Sequence, residues 1–169
     1  MTFTRILILI LIFLPLEESF SMEKYDDAEY HFSEKILKEK GEKYSIKQSY
    51  VHGGMYLKWA LDNGLTGGEI LEYLSPKVEL LRERKIKGSE LLESLDGVLF
   101  SELFTDEGQK FSHWYFKADK NSYFEDYENT LAANLSDYLL VEDSWGNYEL
   151  MAKVISSRYK QWKNANNAK

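Results

Sequence analysis

The stretch His52-Gly53-Gly54-Met55-Tyr56-Leu57-Lys58-Trp59-Ala60-Leu61-Asp62-Asn63-Gly64-Leu65 decides the fold. Between Met55 and Leu61 only Lys58 carries a charge, and apolar residues fall on nearly every side of a helical turn. A helix that is apolar almost all round is a buried helix, because it leaves no face for water. Asn63-Gly64 supplies a left-handed stop, and Leu65 just beyond it can fold back onto the last turn. The stretch therefore predicts a central helix around which other helices pack. Its entrance, His52-Gly53-Gly54, is its most polar and most closely approachable end. Two glycines alone do not make an anion site; they predict close helix packing or a tight entry turn.

Working outward toward the C-terminus, punctuation is dense. Thr66 and Glu69 have the spacing of a capping box ahead of Ile70, Leu71 and Leu74. Ser75-Pro76 opens a further helix with proline at its favoured first position, carrying Val78 and Leu81 on one face. Gly88-Ser89 restarts the chain before Leu91, Leu92 and Leu95, and Asp96-Gly97 breaks it. Thr105 is placed to cap a helix through Ala118, with Asp106 and Glu107 in the favourable first turn and Phe111, Trp114 and Tyr115 at i, i+3 and i+4. Ser122 with Glu125 forms another capping box, ahead of Phe124, Tyr127 and Leu131. Leu135 to Val141 is a connection, with Leu139-Leu140-Val141 as a short extended piece. Asp143 or Ser144 then starts the last helix, where Tyr148, Met151, Ile155, Tyr159 and Trp162 form the cleanest amphipathic stripe in the chain. Asn164 to Lys169 is a polar tail.

On the other side of the central helix, Lys43 to Tyr50 either is extended or leads straight into it. Ser33 could cap a short charged helix over Glu34 to Lys40, ended by Gly41. Met22 to Phe32 has no clear period and is expected to lie as an ordered arm across the domain. Residues 1–21 do not read as part of the fold. Arg5, the apolar run Ile6 to Leu14, and the small residues Ser19 and Ser21 before Met22 form a secretory-leader pattern. The run is too short to span a bilayer. The expectation is a cleaved leader and a mature domain over 22–169 in the periplasm or outside the cell; the alternative is a cytoplasmic protein whose translation starts at Met22. With no cysteine to acylate, no stable membrane anchor is expected after cleavage.

The chain has 169 residues, enough for one domain of ordinary size. Its net charge is -7, from 21 basic and 28 acidic residues, which argues against a nucleic-acid partner and fits a basic protein partner. Aromatic residues make up 15%, enough to fill a core and also enough to furnish a contact surface. The absence of cysteine excludes disulfides, thiolate nucleophiles and cysteine-ligated zinc.

No stretch carries the mark of a reaction. There is no glycine-rich phosphate loop after a strand and no GxSxG turn. His31, His52 and His113 are scattered without the i, i+4 pairing of helical metal sites, so neither a metal nor a cofactor is expected. Convergence of distant histidines in space, with Asp26, Asp27 or Asp143 beside them, stays open.

Three segments carry a resemblance. Lys24-Tyr25-Asp26-Asp27-Ala28 with His31, the stretch His52 to Leu65, and Val141 to Tyr148 (VEDSWGNY) resemble an uncharacterised family of small bacterial domains, with KYDDA, HxGMxLxWAxxNGL and VEDTWENY stretches and a terminal amphipathic helix. The resemblance covers nearly all of Lys24 to Lys163. Ser144-Trp145-Gly146 departs from the usual TWE; a glycine there costs roughly 1 kcal/mol relative to alanine. The family carries no activity over. Small acidic bacterial domains of this type are similar to immunity proteins that neutralise toxins, which is an analogy.

The expected architecture is mainly α, a single compact domain of about six helices around a buried central helix with little or no sheet. The expected function is non-enzymatic protein binding, immunity-like or envelope-associated, with no catalytic residues. The alternative is a small-ligand-binding protein or hydrolase-type enzyme with a polar pocket built from Asp26, Asp27, His31, His52 and Asp143. With Tyr25, Trp145 and Asn147 from the same segments, these are the candidate binding residues.

Overall fold

A computed structural model describes residues 22–32 and 44–167. The expected leader and the expected helix over Glu34 to Lys40 lie outside the described residues. Nine α-helices and one small sheet are present among the described residues, in the order β1 Lys24–Asp27, α1 Ala28–His31, α2 Ile46–Ser49, α3 Val51–Asp62, α4 Glu69–Tyr73, α5 Ser75–Arg82, α6 Gly88–Glu93, β2 Val98–Phe100, α7 Asp106–Phe116, α8 Tyr123–Tyr127 and α9 Trp145–Asn167. The fold is mainly α and built around one helix, as the central stretch predicts.

That helix is α3. Every residue from Val51 to Ala60 is buried, Lys58 included. Lys58 is tolerated because its ammonium pairs with Asp62 one turn on and faces the rings of Trp145 and Tyr148. The stop forms as expected. Gly64 adopts φ 66°, the Leu65 N–H donates to the Ala60 carbonyl at 2.9 Å, and the Gly64 N–H donates to the Leu61 carbonyl at 3.2 Å. This is a complete Schellman closure, and Leu65 is buried behind it.

The paired glycines are explained by packing. A Cβ on Gly54 would lie 2.2 Å from the Ser89 nitrogen, and one on Gly88 would lie 2.0 Å from the Gly54 carbonyl oxygen. The backbones of α3 and α6 therefore touch, which only glycine at both positions permits. Around this pair, Tyr56, Trp59, Phe111, Tyr115 and Tyr123 fill the centre. Among the described residues, Tyr30, Tyr73 and Trp114 are the exposed large aromatics, so the aromatic surplus is mostly core.

Several local readings are corrected. The Met22–Phe32 arm contains β1, paired antiparallel to β2 with Asp26 opposite Leu99 and an irregularity between Lys24 and Asp26. It then turns into α1, capped by the Asp27 carboxylate accepting the Glu29 N–H. Thr66 is not a helix cap: it bridges to Phe104, and α4 begins only at Glu69, after Gly68 at φ 89°. Of Leu139-Leu140-Val141 only Val141 is extended; Tyr138–Leu140 is a 3-10 turn, because the Asp137 carboxylate accepts the Leu139 N–H and draws the backbone in. Lys43 to Tyr50 contains α2, which runs into α3. The polar C-terminal tail continues as helix to Asn167. Thr105 and Ser122 cap through the Gly108 and Glu125 N–H groups, but the expected box at Ser122 is half formed, since the Glu125 carboxylate accepts the Asn121 N–H and not that of Ser122.

Candidate functional site

β1, α1 and α3 meet at one carboxylate. In β1 Tyr25, Asp26 and Asp27 are all buried, and the Asp26 side chain is 3% exposed. The last residue of α1 is His31, whose Nε2 lies 2.8 Å from Asp26 Oδ1. The second residue of α3 is His52, whose Nε2 lies 2.7 Å from Asp26 Oδ2. The two imidazole rings cross nearly perpendicular, 4.5 Å apart. Gly53 makes room for the carboxylate: a Cβ there would come within 3.2 Å of Oδ2.

The two contacts differ in kind. The Asp27 N–H donates to Oδ1 at 2.9 Å, so that oxygen has both a backbone and an imidazole partner. Oδ2 and His52 Nε2 are at ion-pair distance, but the ring N–H direction misses the oxygen, and neither atom has an aligned hydrogen-bond partner. Two buried polar atoms left unsatisfied side by side call for an explanation.

Aromatic rings enclose the centre. Phe124 covers both imidazoles, with centroids 5.0 Å from His31 and 4.9 Å from His52. The Tyr138 hydroxyl lies 2.7 Å from His31 Nδ1. Burial pushes the Tyr138 phenol up to about 12, so it is an un-ionised O–H that can donate to Nδ1 or accept from it. His52 is fixed through its backbone, the Tyr123 hydroxyl donating to its carbonyl at 2.6 Å. Burial pushes the Asp26 carboxyl up, but the two imidazoles outweigh it and hold the group below the usual carboxylate range.

Of the eight candidate residues, Asp26, His31 and His52 come together and the other five do not join them. Asp27, adjacent to Asp26, caps α1 and pairs with Lys24. Tyr25 packs on Phe104 and Phe116, and its hydroxyl donates to the Gln109 carbonyl. Asp143 lies across α6, where the Ser89 hydroxyl donates to it; burial raises its carboxyl, opposed by that hydrogen bond. It forms part of the wall of a groove beside the α3 entrance, together with Tyr50, Val51, Lys87 and Ser89. Trp145 lies under the Arg84 guanidinium and edge-on to Tyr148, and the Asn147 side chain donates to the Glu142 carbonyl near the start of α9. The single pocket of five acids and histidines is therefore corrected to a three-residue centre and a separate groove.

Sequence reasoning missed Phe124 and Tyr138. The His31–Tyr138 contact joins residues 107 positions apart, and no periodicity signals such a pair. It also missed a second buried carboxylate, Asp126, which takes the Arg158 guanidinium at both oxygens and the Tyr115 hydroxyl.

A helical domain wrapped around one buried helix, with a buried carboxylate–imidazole centre beside aromatic rings, is the class that the fold and site define. The chain belongs to the family described as Domain of unknown function (DUF7832), whose model matches residues 24–141. The match takes in Asp26, His31, His52 and Tyr138 and stops before α9. No curated protein and no solved structure matches the chain.

Proposed function

We propose that this is a non-catalytic domain that works by binding another protein. One observation carries the reading: the convergent set of acid–base side chains lies inside the fold. The side chains of Asp26 and His52 are 3% and 1% exposed. A general base must come within hydrogen-bond reach of its substrate; Asp26 and His52 are enclosed, and of the three only His31, 15% exposed, reaches the surface. What the domain offers a partner is then its surface, and at -7 that surface complements a basic protein. An immunity-like or envelope-associated role outside the cytoplasm is consistent with this charge and with the leader-like residues 1–21.

Affinity capture of the full chain from its native cells, in parallel at low and high salt, tests the reading. A basic protein recovered in stoichiometric amount at low salt and depleted at high salt is the expected result, since surface charge complementarity is screened. Recovery of the chain alone under both conditions would count against it. A second reading has its own observation, the groove walled by Tyr50, Val51, Lys87, Ser89 and Asp143, which would suit a small polar ligand. Altered exchange of the Tyr50 and Val51 amides on adding a small-molecule library, with no protein partner captured, would favour it.

A further inference from the structure

We propose that Asp26, His31 and His52 bind one divalent transition-metal ion, tying β1, α1 and α3 together. The inference goes beyond protein binding and does not depend on it.

The donor set comes first. Each residue offers one ligand atom, and these atoms all lie within 4.8 Å of one another. Two imidazole nitrogens with one carboxylate suit zinc, iron, cobalt, nickel or copper, whereas calcium and magnesium prefer oxygen throughout. Tetrahedral ligands held about 2.1 Å from an ion stand roughly 3.4 Å apart. The 2.7 Å between Asp26 Oδ2 and His52 Nε2 needs to open by less than about 1 Å, and His31 Nε2, now 2.8 Å from Oδ1, needs to turn toward Oδ2, side-chain adjustments on three independent elements.

The unpaired atoms are the second, independent observation. Asp26 Oδ2 and His52 Nε2 are buried, face each other and make no hydrogen bond. An ion receiving a lone pair from each would satisfy both at once. As a purely proteinaceous centre, this arrangement leaves a buried 2.7 Å contact without hydrogen-bond alignment, which is costly.

The surroundings are those of a prepared ligand set. Metal-binding histidines give their other ring N–H to a fixed acceptor, and metal-binding carboxylates are themselves hydrogen-bonded. With His31 Nε2 turned to the ion, Nδ1–H donates to the Tyr138 hydroxyl. Asp26 Oδ1 is held by the Asp27 N–H, leaving Oδ2 for the ion. Phe124 supplies an apolar wall over both rings. His31, whose side chain is 15% exposed, gives the route of entry.

The test uses the full chain without an affinity tag, stripped with chelator and titrated by calorimetry with zinc chloride, cobalt chloride and magnesium chloride separately. Zinc and cobalt are expected to bind at one ion per chain, with cobalt giving visible d–d absorption, and magnesium is expected not to bind. His31→Gln, the least buried of the three ligands, should weaken zinc binding at least about tenfold. Asp26→Asn should weaken it as much, whereas His113→Gln, at the exposed histidine beside Glu23, should leave it unchanged. Circular dichroism of each variant confirms that it is folded; if Asp26→Asn does not fold, His31→Gln with Tyr138→Phe carries the test. Absence of one-to-one zinc and cobalt binding, retention of wild-type affinity in folded His31→Gln, or loss of binding in His113→Gln would each overturn the proposal.

Discussion

Asp26 and Asp126 are two carboxylates at similar depth, 5% and 8% exposed, and they are solved differently. Asp126 is closed by protein alone. Arg158 Nε donates to Oδ2 at 2.7 Å, its Nη2 donates to Oδ1 at 2.8 Å, and the Tyr115 hydroxyl donates to Oδ2 at 2.6 Å. Guanidinium is a planar fork that never gives up its charge, so the pairing is complete in every state. Asp26 has two imidazoles instead. Each can carry a lone pair or a proton, and the 2.7 Å contact between Oδ2 and His52 Nε2 lacks hydrogen-bond geometry. Asp126 is a finished clamp between α8 and α9. Asp26 has donors prepared for a guest.

The comparison breaks first at the frame. Gly54→Ala touches no polar atom of either centre, yet its Cβ would meet the backbone of Gly88 and Ser89. Backbone cannot rotate away, so chemical denaturation should show a loss of more than about 3 kcal/mol, beyond ordinary overpacking. Next comes the clamp. Arg158→Met leaves buried Asp126 with the Tyr115 hydroxyl but no counter-charge, and a loss of about 3 kcal/mol is expected in urea melts; a change below about 1 kcal/mol would mean that Asp126 needs no counter-charge. At the other centre Tyr138→Phe removes one neutral hydrogen bond from His31 and should cost only about 1 kcal/mol without metal. In zinc-loaded protein the same substitution should also weaken the metal about tenfold. A clamp-sized loss in the metal-free variant would show that the two centres are alike after all.

Asp143 gives the smallest effect and a third case, a carboxylate whose burial is only partly compensated by Ser89. Its folded pKa is raised, so the fold favours the protonated acid. Ionisation therefore costs stability as pH rises from the unfolded value near 3.9 through the folded value, and the cost persists above it. Asp143→Asn keeps an acceptor for the Ser89 hydroxyl and removes that cost. Between pH 4 and pH 7 the variant should gain on wild type by less than about 1 kcal/mol, measured by paired thermal melts. A variant that falls behind as pH rises would contradict the burial argument.

What the sequence could convey was whatever is decided within one or two helical turns. Asn63-Gly64, Thr105 and Pro76 act through local backbone geometry, and each does in the fold what its residue type implies. The stripe from Tyr148 to Trp162 is likewise periodic, and Tyr148, Met151 and Ile155 are buried along it. The sheet could not be read, because strands of four and three residues with an irregular register are too short to show alternation. Asp26 and Asp27 illustrate the limit. Side by side they look equivalent and are equally buried, but Asp26 meets imidazoles supplied by α1 and α3 while Asp27 caps α1. The scattered histidines misled in the same way, since β1, α1 and α3 supply one group each and no single helix holds a pair.

The most direct test of the contrast is anomalous diffraction at the zinc edge from crystals of the zinc-loaded full chain. The expected map has one peak inside the domain, about 2.0–2.2 Å from Asp26, His31 and His52, with nothing at Asp126. A map with zinc only at surface groups such as His113, and with Asp26 Oδ2 and His52 Nε2 closed on each other in a direct hydrogen bond, would contradict it.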